Sequence, residues 1–319
     1  MKTALIFGVT GQDGYYLAMH LRSIGYRVIG TSRYGDENRM NRTFQILKEQ
    51  IKIISVSIID FRSVMQAVST IAPDEVYNLA GQTSVGVSYD QPVETLESII
   101  TGTLNILECL RLVAPKAKFY NAGSSECFGD TGNQAATETT LFKPLSPYAV
   151  AKACSTNLVS SYRKSYNLFC CTGILFNHES PIRSNRFVTK KIVEAAYKVK
   201  IGSIQSIQLG NIDIYRDWGW SPDYVKVMHL MLTRDEPLDF LIATGKSVSL
   251  ADFINMAFSY FNLNWQNHIV IENDLMRPSD IKYSAGDPSL ANSILSLDPF
   301  HKVEAVIAMM CSHLENSGA

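Results

Sequence analysis

The sequence predicts an α/β protein: a doubly wound parallel sheet followed by a smaller C-terminal α/β lobe. Three observations lead there. Short apolar runs alternate with helical patterns up to about Phe176, the rhythm of a parallel sheet covered on both faces. The first run, Thr3–Phe7, passes directly into Gly8-Val9-Thr10-Gly11-Gln12-Asp13-Gly14 and then a helical pattern. After Phe176 the alternation gives way to polar, irregular stretches and shorter elements.

Thr3–Phe7 has the continuous apolar character of a buried parallel strand. Leu17, Leu21 and Ile24 predict a helix over Tyr15–Ile24. Strand, glycine turn and helix together make a nucleotide site. Glycines let the backbone approach a pyrophosphate, and the helix start offers free amides and the positive end of its dipole. The spacing is Gly-x-x-Gly-x-x-Gly, which makes Gly8, Thr10, Gly11, Gln12, Asp13 and Gly14 the candidate cofactor turn of a Rossmann-type domain.

Tyr26–Thr31 reads as the second strand. Its end selects the cofactor, because a carboxylate there binds a ribose 2′-hydroxyl and an arginine accommodates a 2′-phosphate. The chain has Thr31-Ser32-Arg33 and no carboxylate before Asp36, so Arg33 points to NADP. The segment 37–42 is a polar loop carrying Arg39 and Arg42. Ile51–Ser57 is the third strand, and Phe61–Ile71 a helix broken at Pro73-Asp74. Glu75–Leu79 is the fourth strand, ending in Ala80-Gly81-Gln82. Small residues at a strand end let a flat ring or ribose lie close, which adds Leu79 and Ala80 to the cofactor candidates. Gln91-Pro92 opens a long amphipathic helix running to Val113, and Ala117–Ala122 is the fifth strand.

At the carboxyl end of that strand, where such sheets bind ligands, stand Ser124, Ser125 and Glu126. Ser146 is an N-cap and Pro147 the first residue of the next helix. Tyr148 and Lys152 stack on one face of it, with Cβ atoms about 6 Å apart. An ammonium beside a phenol favours the phenolate, and a phenol so tuned is a general base toward an alcohol. Leu168–Phe176 is the sixth strand. Asn177–Pro181 is read as irregular, Phe187–Lys200 as a basic helix, and Arg216-Asp217-Trp218-Gly219 as following a short strand at Ile207–Leu209. Asp239–Thr244 is a strand, Leu250–Phe261 a helix and His268–Ile271 a short strand. Arg277-Pro278-Ser279-Asp280 precedes two terminal helices. The chain therefore divides into a cofactor-binding unit, 1–176, to which parts of 205–245 return, and a substrate lobe, 177–319.

Composition sets outer bounds. Of 319 residues 46% are hydrophobic and 18% charged, enough to bury a large core, and the net charge of −1 gives no reason to expect nucleic acid or an anionic membrane. An acidic ligand needs locally placed cations instead. No apolar run of about 18 residues occurs, so no membrane span is expected. The N-terminus runs straight into a strand and is read as a mature start. None of the six cysteines forms a Cys-x-x-Cys pair, which fits reduced thiols in a cytoplasmic protein. The six histidines show no ligand spacing; even His178, beside Glu179, is not expected to hold a metal.

These residues resemble the extended short-chain dehydrogenase/reductase family, and within it the 4,6-dehydratases of GDP-sugars. The matching pieces are Gly8–Gly14, Tyr77–Ala80, Ser124–Glu126, Ser146–Tyr148 with Lys152, Gly173–Pro181, Arg216–Gly219, Ile242–Gly245 and Arg277-Pro278. The resemblance implies a redox-neutral elimination, most simply on GDP-mannose to give its 4-keto-6-deoxy product. Tyr148 would take the C4 hydroxyl proton during a transient oxidation by NADP. Lys152 would tune it and hold the nicotinamide ribose, and Ser124 would bond the C4 oxygen. Glu126 would remove the C5 proton and assist loss of the C6 hydroxyl before hydride returns to C6. A net reductase or a 4-epimerase of the same fold has no need of Glu126. The resemblance also assigns substrate binding to Ser84, Glu126, Asn177, Val188, Lys191, Arg216, Arg277 and Asp280. It implies a homodimer built on the helices 91–113 and 147–166, or a homotetramer using the Arg39/Arg42 loop. The chain departs from the family's pattern at Ser57, Gly81, Ile182, Ser184 and Asn185, and Ser124 stands in place of a threonine. The changes at 182–185 keep GDP-N-acetylglucosamine and a GDP-heptose open as substrates.

Overall fold

The computed structural model describes residues 1–33, 42–132, 134–276 and 279–317, with the backbone alone for 42–44. The sequence reading of Arg39, Arg42 and Arg277 therefore falls outside the described side chains.

A seven-stranded, wholly parallel sheet forms the frame. Its strands are β1 (Thr3–Phe7), β2 (Arg27–Ser32), β3 (Lys52–Ser55), β4 (Glu75–Asn78), β5 (Lys118–Ala122), β6 (Cys170–Leu175) and Phe240–Ile242. From one edge, the order is Phe240–Ile242, β6, β5, β4, β1, β2, β3. The chain reverses direction across the sheet between β1 and β4, and that switch point opens the ligand crevice at the strands' carboxyl ends. All five residues of β1 are buried, as its uniform apolar character requires.

Helices cover both faces. α1 (Gln12–Ser23) and the helix Ser221–Thr233 bury Leu17, Leu21, Val225, Met228 and Met231 on one side. α2 (Arg42–Gln50) contributes Leu47 there. The other face carries α3 (Phe61–Ile71), the helix Gly102–Val113 and the helix Pro147–Tyr166, with Val64, Val68, Ile106, Leu110 and Val159 inside. Capping sets the bounds of α3. Asp60 accepts from the Arg62 amide at 3.0 Å, and Ala72, at φ 47°, turns the chain out. Between α3 and the long helix lie α4 (Val85–Asp90) and α5 (Pro92–Leu96). A five-residue π turn, Glu97–Thr101, links α5 to α6 (Gly102–Val113). α7 is Pro147–Tyr166.

The remaining strands are β7 (Asn177–Glu179), β8 (Ile207–Leu209), β9 (Tyr215–Trp220), β10 (Phe240–Ile242), β11 (Ser247–Ser249), β12 (Ile269–Ile271) and β13 (Tyr283–Ser284). β9 pairs with β11 and β13 along one path and with β7 beyond it, while β8 pairs with β12. α8 (Val188–Lys200), α9 (Ser221–Thr233), α10 (Leu250–Tyr260), α11 (Ser289–Leu295) and α12 (Val303–Ser317) complete the chain. α8, α10 and α12 enclose a separate core around Trp218, Phe253, Phe258 and Met310.

Several elements differ from the sequence reading. α1 starts at Gln12, and Ile24 lies beyond its end, 46% exposed. Asn177–Glu179 is a strand, because β9 supplies a ladder that local pattern cannot announce. Arg216–Gly219 lies within β9, not after a strand. The sequence reading assigned no helix at α2, α4 or α9. α9 is buried on several sides, at Tyr224, Val225, Val227, Met228 and Met231, so its apolar positions do not form a narrow helical period.

Candidate active site

Two clefts meet at the carboxyl end of the sheet and share Leu79 and Thr83 in their walls. The first encloses about 1160 Å³ of space, its opening to solvent included. Its walls include Ser124, Glu126, Tyr148, Lys152, Asn177, Val188 and Arg216, with Ser84 at one side. The second, about 1000 Å³, is lined by Gly8, Thr10, Gly11, Arg33, Leu79 and Ala80.

The second cleft is a cradle for a dinucleotide. Gly8 has φ +82°, and a Cβ on it would stand 2.7 Å from the Leu79 carbonyl oxygen, so only glycine lets the turn approach the end of β4. A Cβ on Gly14 would meet the Gly8 carbonyl oxygen at 2.5 Å. Gly14 thus permits close packing of α1 on β1, and lines neither cleft. Arg33 ion-pairs with Glu94 from α5 at 3.1 Å, and both line this cleft. The sequence reading found no carboxylate near Arg33; helix α5 brings one from 61 residues away.

Gln12 and Asp13 are tied to β7 and the residue after it. The Gln12 amide donates to the His178 carbonyl at 3.1 Å and accepts from Ser180 at 2.7 Å. Asp13 accepts from Ser221 at 2.8 Å and faces His178 Nε2 at 2.9 Å. His178 and these hydrogen bonds hold the Asp13 carboxyl well below the usual carboxylate range, against its burial. His178 also faces the Phe176 carbonyl through Nδ1 at 2.7 Å and stacks on Tyr224.

The catalytic candidates come from two neighbouring elements. Ser124 ends the β5 turn and caps the short helix Ser125–Phe128, accepting from the Glu126 amide at 3.3 Å. Ser146 caps α7 by accepting from the Ala149 amide at 3.1 Å, which aims Tyr148 and Lys152 at β5. Burial pushes the Tyr148 phenol pKa up; a hydrogen bond with Ser124 works against that, and the Glu126 carboxylate adds to it. Lys152 donates to the Ala122 carbonyl at 2.7 Å and lies 5.9 Å from the Tyr148 ring centre. Burial lowers its pKa to about 8. The sequence reading gave Lys152 the leading part in tuning the phenol. In the structure burial dominates, because both groups sit in a low-dielectric wall where an ion is poorly solvated.

The substrate candidates divide. Ser84, Asn177, Val188 and Arg216 line the first cleft with Glu126. Arg216 is buried and pairs with Asp280 at 3.3 Å, so these two substrate candidates stand together. Asp280 is not in the cleft wall. Lys191 is exposed on α8 and lines neither cleft; Lys190, one step and about 100° round the helix, turns inward and donates to the Pro181 carbonyl at 2.8 Å. Sequence reasoning passed over Glu179, Arg183 and Thr189, which also line the first cleft. Period-two alternation from Asn177 would have found Glu179.

The sheet order, the glycine turn and the Tyr148/Lys152 helix define an extended short-chain dehydrogenase/reductase. Solved structures agree on the fold. A dTDP-glucose 4,6-dehydratase from Streptomyces venezuelae matches with a TM-score of 0.87 at 18% identity, over 99% of this chain and 98% of that one. A UDP-glucose 4-epimerase from Thermotoga maritima matches with a TM-score of 0.87 at 20% identity, over 99% and 100%. Within that class the chain belongs to the GDP-mannose 4,6 dehydratase family, whose model matches residues 5–310. It is 39% identical over 320 residues to GDP-mannose 4,6 dehydratase 2 of Arabidopsis thaliana, covering 97% of this chain and 86% of the relative. It is 36% identical over 352 residues to a GDP-mannose 4,6-dehydratase of Vibrio cholerae, covering 99% and 94%.

Proposed function

We propose that this chain is a GDP-sugar 4,6-dehydratase, a hydro-lyase that converts GDP-mannose to GDP-4-keto-6-deoxy-mannose. One observation carries the reading: Glu126, Tyr148 and Ser124 line a single cleft, close enough for the carboxylate and the hydroxyl to perturb the phenol. Alcohol oxidation alone needs the phenol and the hydroxyl; a carboxylate beside them serves proton removal from carbon. Membership in the family supports the same reaction.

The glycine turn, Leu79, Ala80 and Arg33 would hold a nicotinamide dinucleotide in the second cleft, with Tyr148 and Lys152 reaching it from the first. Bound there, it supplies a reversible hydride acceptor. Tyr148 takes the proton of the C4 hydroxyl, and Ser124 orients that oxygen. The resulting ketone acidifies C5–H, Glu126 removes that proton, and the same carboxyl delivers it to the C6 hydroxyl, which leaves as water; return of the hydride to C6, with the proton held by Tyr148 passing to C5, gives the 4-keto-6-deoxy sugar. Asn177 and Arg216 serve the GDP diphosphate, Arg being suited to grip phosphate oxygens in pairs. Arg33 favours NADP over NAD, with Glu94 limiting the preference by pairing with it.

The protein is read as cytoplasmic. No helix among the described residues is long and apolar enough to cross a membrane, and all six cysteines are free. Incubation with GDP-mannose, other GDP-hexoses and catalytic NADP tests the function by mass. A 4-keto product lighter by one water is expected. Unchanged mass with every GDP-hexose, at full cofactor occupancy, refutes the dehydratase; net gain of hydrogen identifies a reductase.

A further inference from the structure

Arg33 directly follows β2, at the position that reads the adenosine ribose of a dinucleotide. Among the described residues lining the second cleft it is the only cation. Two carboxylates line the same cleft, Glu94 from α5 and Glu97 from the π turn that follows it. They are three residues apart and so share one side of that helical stretch. Arg33 Nη1 donates to Glu94 Oε1 at 3.1 Å. The wall therefore holds a closed cation–carboxylate pair and a further carboxylate, with more negative than positive charge.

A 2′-phosphate and a 2′-hydroxyl meet this wall differently. The phosphate monoester carries close to two negative charges at neutral pH. To be gripped by Arg33 it must displace Glu94 and then sit near that carboxylate, like charge against like. A ribose hydroxyl is neutral and donates a hydrogen bond. A carboxylate accepts that bond with lone pairs that the guanidinium leaves free. Glu94 can therefore serve the ribose diol of NAD with its bond to Arg33 intact. The two side chains of the pair are 57% and 50% exposed, so water screens them and opening the pair costs little. NADP is handicapped by Glu94, not excluded.

We propose that Glu94 sets the cofactor selectivity of this protein, holding Arg33 in a pair that admits both NAD and NADP in place of the NADP preference Arg33 would give by itself. The inference rests on the reading of the second cleft as the nicotinamide dinucleotide site. The selecting carboxylate comes from α5, 61 residues beyond Arg33, and not from the end of β2 where a sequence is searched for it. The two dinucleotides present the same nicotinamide. The choice between them changes which cofactor pool serves the protein and leaves the chemistry of the first cleft as it is.

Competition binding tests this. The purified protein is equilibrated with NAD and NADP in equal excess, freed of unbound dinucleotide by gel filtration and denatured, and the released cofactors are quantified by chromatography. The parent is expected to carry both, in a ratio within about tenfold of one. Glu94→Gln keeps the shape and removes the charge. Its ratio should move about five- to tenfold toward NADP, as fits a doubly charged group at a screened site. Glu97→Gln removes a carboxylate from the same wall but leaves the pair, and should move the ratio less than about threefold. The ratio is internal to each sample, so a variant that folds less completely still reports it. A parent carrying NADP alone, an unmoved ratio in Glu94→Gln, or an equal shift in Glu97→Gln would overturn the proposal. A parent carrying neither dinucleotide would defeat the reading of the cleft itself, and the selectivity with it.

Discussion

At the scale of single residues, position 126 decides what the cleft can do. A phenol, a lysine and a hydroxyl suffice to move a proton and orient an oxygen; elimination also needs a base beside the neighbouring carbon. Replacing Glu126 by Gln removes that base with little change of shape. We expect kcat to fall by about 10² to 10⁴, the usual share of a general base, with the affinity for GDP-mannose held within a few-fold. Isotope from heavy water should no longer enter the sugar at C5. A kcat within tenfold of the parent would remove Glu126 from the reaction. The residue scale is also where sequence reading was least even. Ser124, Glu126, Tyr148 and Lys152 could be named because a cap, a helix start and a strand end lie beside them. Lys191 came from the family resemblance, and only the helix phase shows that its neighbour Lys190 turns inward. Glu179 looked like part of a loop until β9 paired with it.

At the scale of elements, α1 and α9 are tied together at two places along their length. Their near ends meet through Asp13 and Ser221, and their far portions through a histidine pair. His20 Nε2 lies 3.4 Å from His229 Nδ1, and His229 Nε2 lies 3.2 Å from the Tyr26 hydroxyl. That hydroxyl donates to the buried Glu75 at 3.0 Å, which also accepts from Tyr77 and Lys2. With Tyr26 donating onward, His229 donates to Tyr26 through Nε2, and a neutral His229 then accepts from His20 at Nδ1. Burial lowers the pKa of both histidines; His229 and Lys226 lower that of His20 further, while at His229 Glu75 opposes the burial and Lys2 adds to it. The unfolded chain then binds more protons than the folded one as pH drops below the ordinary histidine value of about 6.5. Stability is full above that value and is lost as pH falls through the lowered folded values. Thermal melts should show the parent losing midpoint faster than His229→Gln between pH 7 and pH 5; parallel curves would show that the pair does not titrate in this range. None of this was visible in sequence, where His20 and His229 are 209 positions apart.

At the scale of the whole molecule, apolar side chains remain on the surface near the starts of α5 and α7. Val93 is 69% exposed, Leu141 78% and Val150 44%. Exposed aliphatic residues gathered near two helices mark an association surface more often than an isolated one does. The family resemblance expects a dimer there. Light scattering should return at least twice the monomer mass, and Val93→Asp with Val150→Asp should shift the protein toward the monomer. A parent that scatters as a monomer at micromolar concentration would remove these helices from any interface.

The sequence by itself determined what depends on neighbours along the chain. The apolar run of β1, the glycines after it, the cap at Ser146, and the fourfold spacing of Tyr148 and Lys152 all follow from contacts within a few residues, so strand, turn and helix could be read in order. The tertiary structure alone decided which of those pieces face one another. It set Glu94 against Arg33, Asp280 against Arg216, His178 against Asp13 and Arg183 against Glu179. The physical reason is that backbone preference and capping are local, whereas burial, ion pairing and the pKa values they move depend on distances through space, which a linear pattern does not contain.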